Sequence, residues 1–448
     1  MYTKIKIFFG IDKAIALSLI KGLWIGFSSF ITLYFVTKYL DPIFQGYYFT
    51  FYSIIALQLF VEMGLTFSLV QFVSHEMAHL SMDAKGNLSG DSLIKRRLQT
   101  IIIFAYKWFG LGALLFFIIL IPCGAIFFND KLFFQGSSDV LIPWIILVAV
   151  TAINLILTAS MSIIEGTGKI SEVIVMKFLQ SLFSSIAMWF FLINNSGLYA
   201  VAFSSLIGLI IGLIWLSIRF YNFFLGIFRY KSKEPGVNWR REIFPFQWRI
   251  ALSWMSGYFV FYSLTPLLFK QSGAEVAGQF GASMQIFSVL NGGAIIWIST
   301  KMPIFGMLAA KKNYQNLKAL FFKSFFQSTA ILVIAILIAI LFYWYLVSIN
   351  AAIVNKILPF YALILLAISS LLNHAVFSMA SYLRSFKKEP YMMVSILNAL
   401  CTFSLALLLV PYYSYMGAVF SYLIGTLLFG FVFGGLIFIK NQAVRTND

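Results

Sequence analysis

Residues Ile101 to Phe128 read IIIFAYKWFGLGALLFFIILIPCGAIFF, with no acidic side chain and a single cation, Lys107. About 20 apolar residues suffice to cross a hydrocarbon core of ~30 Å, so the stretch is long enough to span a bilayer as one α-helix. It is too long for the ten-residue alternating strands of an outer-membrane barrel, and that alternation is absent elsewhere in the chain. Ala330 to Val347 is a second such run. Reading outward gives twelve spans, at 14–40, 46–73, 100–128, 140–164, 173–194, 198–224, 244–270, 275–300, 319–347, 353–383, 391–411 and 416–439. The expected class is an all-α integral membrane protein with about 12 transmembrane helices.

Composition agrees. An ordinary soluble chain is about 45–50% apolar, whereas 61% of these 448 residues are hydrophobic, 18% are aromatic, and the mean hydropathy is +0.92. A net charge of +17 gathered in one tail would suit nucleic acid. Here the basic residues are spread over short inter-helix loops, so no nucleic-acid partner is expected. The segments 1–13, 75–99, 165–172, 226–243, 309–318, 384–390 and 440–448 hold 21 Lys and Arg, while the alternate loops hold only Lys131. That bias predicts a multi-pass protein with both termini in the cytoplasm. Lys4, Lys6 and Lys13 precede a first span too long for a signal-peptide core, so it is expected to remain as the first helix. Cys123 and Cys401 lie in or beside apolar spans without pairing or metal spacing and read as buried small residues. No cofactor is expected.

The basic stretch Arg229-Tyr230-Lys231-Ser232-Lys233-Glu234-Pro235, continuing to Trp239-Arg240-Arg241, separates six spans from six. The expected organisation is an N-terminal lobe at 1–228, a cytoplasmic linker at 229–243 and a C-terminal lobe at 244–448. Several patterns recur across the linker. Phe203-Ser204-Ser205-Leu206-Ile207-Gly208 returns as Phe420-Ser421-Tyr422-Leu423-Ile424-Gly425, with five of six residues identical. Lys38 with Gly46-x-Tyr48 recurs at the same spacing as Lys270 with Gly278-x-Phe280. Pro143 and Pro359 open the fourth and tenth spans. The basic turn Gly166-Thr167-Gly168-Lys169 is answered by Arg384-Ser385-Phe386-Lys387-Lys388. Six spans per half make the repeat parallel, about an axis along the membrane normal, and two such bundles can rock about a shared cavity. Transport therefore ranks above a receptor or scaffold role.

Further stretches point to a family. They are Leu40-Asp41-Pro42-Ile43-Phe44-Gln45-Gly46-Tyr47-Tyr48, Leu59-Phe60-Val61-Glu62-Met63-Gly64-Leu65, Glu165-Gly166-Thr167-Gly168-Lys169 and Tyr415-Met416-Gly417-Ala418-Val419. With them the whole chain resembles the multidrug/oligosaccharidyl-lipid/polysaccharide exporter superfamily, and within it the Wzx-type O-antigen flippases. The resemblance implies two pseudo-symmetric six-helix lobes forming a V around a cavity lined largely by the first, second, seventh and eighth helices. It implies a lipid-linked oligosaccharide, carried on undecaprenyl diphosphate, as cargo flipped from the inner to the outer leaflet of a bacterial cytoplasmic (inner) membrane for lipopolysaccharide. A polysaccharide polymerase and chain-length protein would be partners, membrane lipids would surround it, and a proton or sodium gradient could drive it. The family supplies no invariant functional residue, so the site rests on the charges.

Ten Lys and Arg remain in or at the ends of the spans. Lys38, Lys270, Lys356, Arg219, Lys301 and Lys323 lie near span ends, where long stems snorkel to the interface. Lys21, Lys107, Lys177 and Arg249, on the first, third, fifth and seventh spans, lie deeper, roughly 8–12 Å in at 1.5 Å per residue. Burying such a charge costs about 2.5–3.5 kcal/mol, so each should face a cavity or a partner. Glu62 is the one acidic residue well inside a span, at the depth of Lys21. Two readings stand. Lys21 and Glu62 form a charge pair, or Lys21 and Arg249, with Lys177 and Lys107, bind the diphosphate while Glu62 relays a proton or competes for Lys21. Arg offers a planar fork to phosphate and Lys a compact charge. Four bases against one acid favour an anionic cargo over a cationic drug. Trp24, Trp254, Tyr258, Tyr262 and Trp297 could stack on sugars, against the alternative of packing or a membrane belt.

His75-Glu76-Met77-Ala78-His79 matches the His-Glu-x-x-His zinc motif. A zinc protease needs a third ligand and a roofed cleft, and this stretch lies in an inner loop, so a solvated helix end is expected and no metal. No phosphate-binding loop of the Gly-x-x-x-x-Gly-Lys-Ser/Thr type occurs. A membrane glycosyltransferase or polymerase would need a sizeable outer loop, and the longest, near Asn129 to Asp139, could not build an active site. The expected function is lipid-linked oligosaccharide flipping without enzyme activity. Ion-coupled export of drugs or small molecules on the same fold is the alternative.

Overall fold

A computed structural model of the chain describes residues 13–83, 86–128, 137–386 and 391–446, nearly all of them helical. Lys4, Lys6, Lys131, Lys387 and Lys388 lie outside the described residues. The first elements are α1 (Lys13–Tyr39), α2 (Pro42–Ile55), α3 (Gln58–Glu62), α4 (Leu65–Met77) and a small hairpin, β1 (Leu80–Met82) and β2 (Leu88–Gly90), paired antiparallel with Leu80 opposite Gly90. Then follow α5 (Ser92–Phe127), α6 (Ser137–Gly166), α7 (Ile170–Ile193), α8 (Tyr199–Arg229) and the short α9 (Trp239–Glu242). The remainder comprises α10 (Phe244–Phe261), α11 (Leu264–Ser272), α12 (Ala274–Ser299), α13 (Met302–Ala310), α14 (Tyr314–Ser348), α15 (Phe360–Arg384), α16 (Met392–Gly425) and α17 (Gly434–Thr446).

Among the described residues ten helical stretches are long and apolar enough to cross a membrane, and two local breaks reconcile them with twelve passes. The seventh pass is interrupted at Tyr262 and Ser263, leaving α10 and α11 as pieces of 18 and 9 residues. The last stretch, Met392–Asn441, holds two passes. Ser414 leaves the helical region at φ 50°, ψ −132°, three residues after Pro411. Beyond it Gly417 returns against the backbone of Leu409 and Val410, and Gly425 against Thr402 and Asn398, as in a tight hairpin. Pro143 does not open its helix as expected; α6 begins at Ser137 and carries Pro143 in its second turn. Pro359 does cap α15. Outward faces are apolar, as lipid requires: Leu111, Leu114 and Ile118 on α5 and Ile334, Leu337, Ile338 and Leu341 on α14 are all exposed.

The chain forms two compact units, Met1–Trp24 with Leu57–Trp254, and Ile25–Ala56 with Met255–Asp448. In the first, Trp144 is fully buried and its indole donates to the Leu120 carbonyl at 3.0 Å, where Gly124 leaves room for the ring. The linker after α8 is tied to the start of α5. Gln99 Nε2 donates to the carbonyls of Ile227 and Tyr230 at 2.8 and 2.7 Å, the Val237 N–H donates to Thr100 Oγ1 at 3.0 Å, and Trp239 stacks on Phe104 at 3.8 Å. Arg97 joins buried Glu76 at 3.0 Å to Glu242 at 2.8 Å. Glu242 is held below the usual carboxylate range by the Asn238 N–H and by Arg97.

In the second unit α2 crosses α12 with no side chain between them. A Cβ on Gly46 would fall inside the Ala274 carbonyl, and one on Gly278 would lie 2.9 Å from Gly46 N and 3.2 Å from the Pro42 carbonyl. The two glycines are the repeated pair of the sequence, and each faces the carbonyl four residues before the other. Gln45 Nε2 locks the crossing by donating to the carbonyls of Gly278 and Lys356 at 3.0 and 2.8 Å. The other repeat holds too. Gly208 abuts Ser184, with Gln180 one turn before, as Gly425 abuts Thr402, with Asn398 one turn before.

Candidate functional site

The second pass is broken beside Glu62. Met63 and Gly64 both take left-handed conformations, φ 43° and 65°, ending α3 at Glu62 and starting α4 at Leu65. A residue other than glycine pays for that conformation, and Gly64 is doubly constrained because a Cβ there would meet Ile250 Cγ2 at 2.5 Å. The break exposes backbone carbonyls inside a span, where each must find a donor. The Trp108 indole supplies one, bonding the Val61 carbonyl at 2.9 Å. Gly112, one turn further along α5, lets Val61 approach.

Charges on α1, α6 and α7 are linked to this break through Lys177. Lys177 on α7 lies with its Nζ 3.8 Å from Glu165 Oε2 at the end of α6. Lys21 on α1 is half-buried and feels the charges of both Lys177 and Glu165. The field of Lys177 also reaches Glu62, which is itself half-buried. The ion pair is Lys177 with Glu165, and Lys21 and Glu62 lie within its electrostatic reach. Lys21 and Glu62 make no ion pair within 4.0 Å; the carboxylate that neutralises part of the positive charge is Glu165. Sequence reading saw Glu165 only as the first residue of a turn, because its pairing is fixed by helix packing, not by spacing. Trp24, one turn beyond Lys21, holds α1 to α7 through ring contacts with Phe178 and Trp189, both at 6.2 Å.

Two other cations stand apart or undescribed. Lys107 is exposed on α5 and joins no ion pair within 4.0 Å among the described residues. Arg249 lies on α10, next to the Ile250 side chain and Ala251 backbone that pack on Gly64; its side chain is outside what the structure describes. Lys356 does not snorkel. Its Nζ donates to the carbonyls of Thr37 and Leu40 at 2.7 and 2.6 Å, closing the C-terminal end of α1. At the His-Glu-x-x-His stretch, Glu76 is buried against Arg97 while the His75 side chain is 76% exposed. Of the aromatic candidates, Trp297 donates to Gln327 Oε1 at 3.1 Å and Tyr258 stacks on Tyr262 at 6.2 Å.

The fold is shared with solved transporters. An inward-facing multidrug resistance MATE family transporter of the MOP superfamily is similar with a TM-score of 0.64 and 13% identity, over 99% of this chain and 98% of the other. The MATE multidrug transporter DinF-BH gives 0.65 and 13%, over 97% and 96%. A MOP superfamily transporter from Pyrococcus furiosus, for which reverse polarity of the binding pocket suggests a different function, gives 0.62 and 15%, over 97% of each chain. No curated protein sequence matches the chain. The signature described as Polysaccharide biosynthesis protein matches residues 12–309, well over half of the sequence. This chain, with the fold of MOP-superfamily transporters, belongs to the polysaccharide biosynthesis protein family.

Proposed function

We propose that the protein is a flippase that moves an undecaprenyl-diphosphate-linked oligosaccharide from the inner to the outer leaflet of a bacterial cytoplasmic membrane by alternating access. The observation that carries this reading is the pair of lysines, Lys21 and Lys177, held in the membrane-spanning part of a polysaccharide biosynthesis family member. A diphosphate is the anionic part of such a cargo, and two ammonium groups in a partly dehydrated site attract it strongly. Glu165, 3.8 Å from the Lys177 ammonium, offsets part of the positive charge, which lowers the cost of burying it. An entering diphosphate would take over the Lys177 contact from Glu165. Arg249, on the helix packed against the Glu62 break, is the proposed third cation, and Lys107 a further one along the path. Both termini would face the cytoplasm, and the cargo would serve O-antigen or a related surface polysaccharide beside a polymerase and a chain-length partner. The chain would do no bond chemistry itself.

Glu62 favours a second reading, an ion-coupled exporter of small molecules on the same fold. A carboxylate at a helix break within a span is suited to taking up a proton or sodium ion as the transporter turns over. The two readings part in cells lacking the protein. Lipid-linked oligosaccharide held on the inner leaflet, released by wild type and not by well-expressed Lys21→Ala or Lys177→Ala, supports the flippase. Normal surface polysaccharide with new sensitivity to cationic compounds supports the exporter.

A further inference from the structure

Within the second unit a cavity of about 380 Å³ opens among α2, α12, α15, the break between α10 and α11, and the C-terminal part of α16. No Lys, Arg, His, Asp or Glu is among its lining residues. On α12 the lining runs Gly281, Gln285, Ser288, Asn291 and Ile295, a stripe at three- and four-residue spacing that puts two amides and a hydroxyl on one face of an apolar helix. Rings of Tyr52, Phe261 and Tyr262 form much of the remaining wall.

Three polar groups are set to donate into this space. The Tyr422 hydroxyl accepts from Asn373 Nδ2 at 2.8 Å, which leaves its own O–H to be given elsewhere. Asn291 Oδ1 is engaged by buried His374 Nδ1 at 3.3 Å, which leaves the amide N–H groups of Asn291 for the cavity it lines. Ser370 on α15 is 4% exposed, and its Oγ is buried without a hydrogen-bond partner. A helical serine can satisfy itself on the carbonyl one turn back, and a buried hydroxyl left unmade costs free energy. Ser370 therefore carries an unfilled bond at the cavity wall.

We infer that this cavity binds an uncharged sugar ring of the cargo. Aromatic walls with hydroxyl and amide donors, and no charge, fit a polyhydroxylated neutral ring. A cationic drug would lack a carboxylate here, an anion would lack a base, and a hydrocarbon chain would leave the donors unpaired. The size suits a small ligand. A larger cleft of about 760 Å³ in the same unit contrasts with it, being lined by side chains such as Phe30, Leu33, Ile336 and Phe342 with Lys38 and Lys356 among them. The inference rests on the flippase reading, and the test separates the two.

The full-length protein in proteoliposomes is given undecaprenyl diphosphate carrying the host's own repeat unit, or bare undecaprenyl diphosphate. Ser370→Ala removes a hydroxyl with no internal partner, so its thermal midpoint should equal or exceed that of wild type. Flipping of the glycosylated lipid at subsaturating concentration should fall about 3- to 10-fold, the value of one neutral hydrogen bond, while flipping of the bare lipid is unchanged. Ser288→Phe, which fills the cavity, should abolish glycan-dependent transport and spare the bare lipid. Equal loss for both lipids, or no loss in either variant, overturns the sugar site and leaves the flippase standing. Failure of wild type to move either lipid overturns the flippase reading itself.

Discussion

Substituting alanine for Gly46 tests the helix crossing on which the second unit is built. The new Cβ would fall inside the Ala274 carbonyl, and backbone on both sides leaves no flexible side chain to yield. α2 and α12 must therefore move apart. Such overpacking costs about 1–3 kcal/mol. Separation also stretches the Gln45 Nε2 bond to the Gly278 carbonyl, now 3.0 Å, worth about 1 kcal/mol more. The sum, about 2–4 kcal/mol, should lower the unfolding midpoint in detergent by several degrees, read by fluorescence-detected size exclusion after heating. Gly278→Ala should behave alike, because its Cβ would lie 2.9 Å from Gly46 N. Gly26→Ala and Gly110→Ala have nothing within 4 Å and are the controls; in helices they should be neutral or stabilising by up to about 1 kcal/mol. If Gly46→Ala melts with the controls, the crossing is not the close backbone contact described.

Four further outcomes follow from individual contacts. Arg97→Ala leaves buried Glu76 without its partner and frees Glu242, and should cost about 1–3 kcal/mol, with Glu76→Gln in the same chain restoring part of it; thermal midpoints check this. Because Glu242 titrates below its ordinary value, its contribution is present above the usual carboxylate range and is lost as pH falls through the lowered value, so protease cutting at 229–243 should rise only at acidic pH and, in Arg97→Ala, at a less acidic pH. Lys356→Met uncovers the Thr37 and Leu40 carbonyls and should destabilise by about 1.5–3 kcal/mol, the range for hydrogen bonds made by a charged donor. Glu165→Gln removes the carboxylate 3.8 Å from Lys177; the pair is partly exposed, so stability should change by less than about 1 kcal/mol, while affinity for a diphosphate lipid should rise.

Much of the architecture was legible because membrane spans announce themselves by length. The reading of an all-α membrane protein holds, and even the duplicated Gly46 and Gly278 proved to be one another's neighbours. What escaped was set by packing. The break at Met63 and Gly64 has no proline to mark it, and a Gly within a membrane helix is too common to signal one. Glu165 reads in the sequence only as the start of a turn, and the packing of α6 on α7 is what brings it to Lys177. Lys356 has the stem of a snorkelling lysine, yet a loop folds it onto the end of α1. The Gln285, Ser288 and Asn291 stripe drew no attention in the sequence, because only the converging rings and Ser370 give it a cavity.

The central claim is tested most directly by purified protein in proteoliposomes, with undecaprenyl-diphosphate-linked oligosaccharide in one leaflet and its appearance in the other read by an enzyme or lectin that cannot cross. The account predicts protein-dependent flipping that is severely reduced by Lys21→Ala and by Lys177→Ala and partly retained by Lys177→Arg. Flipping indifferent to both lysines, or none in wild type while a cationic dye is transported, would contradict it.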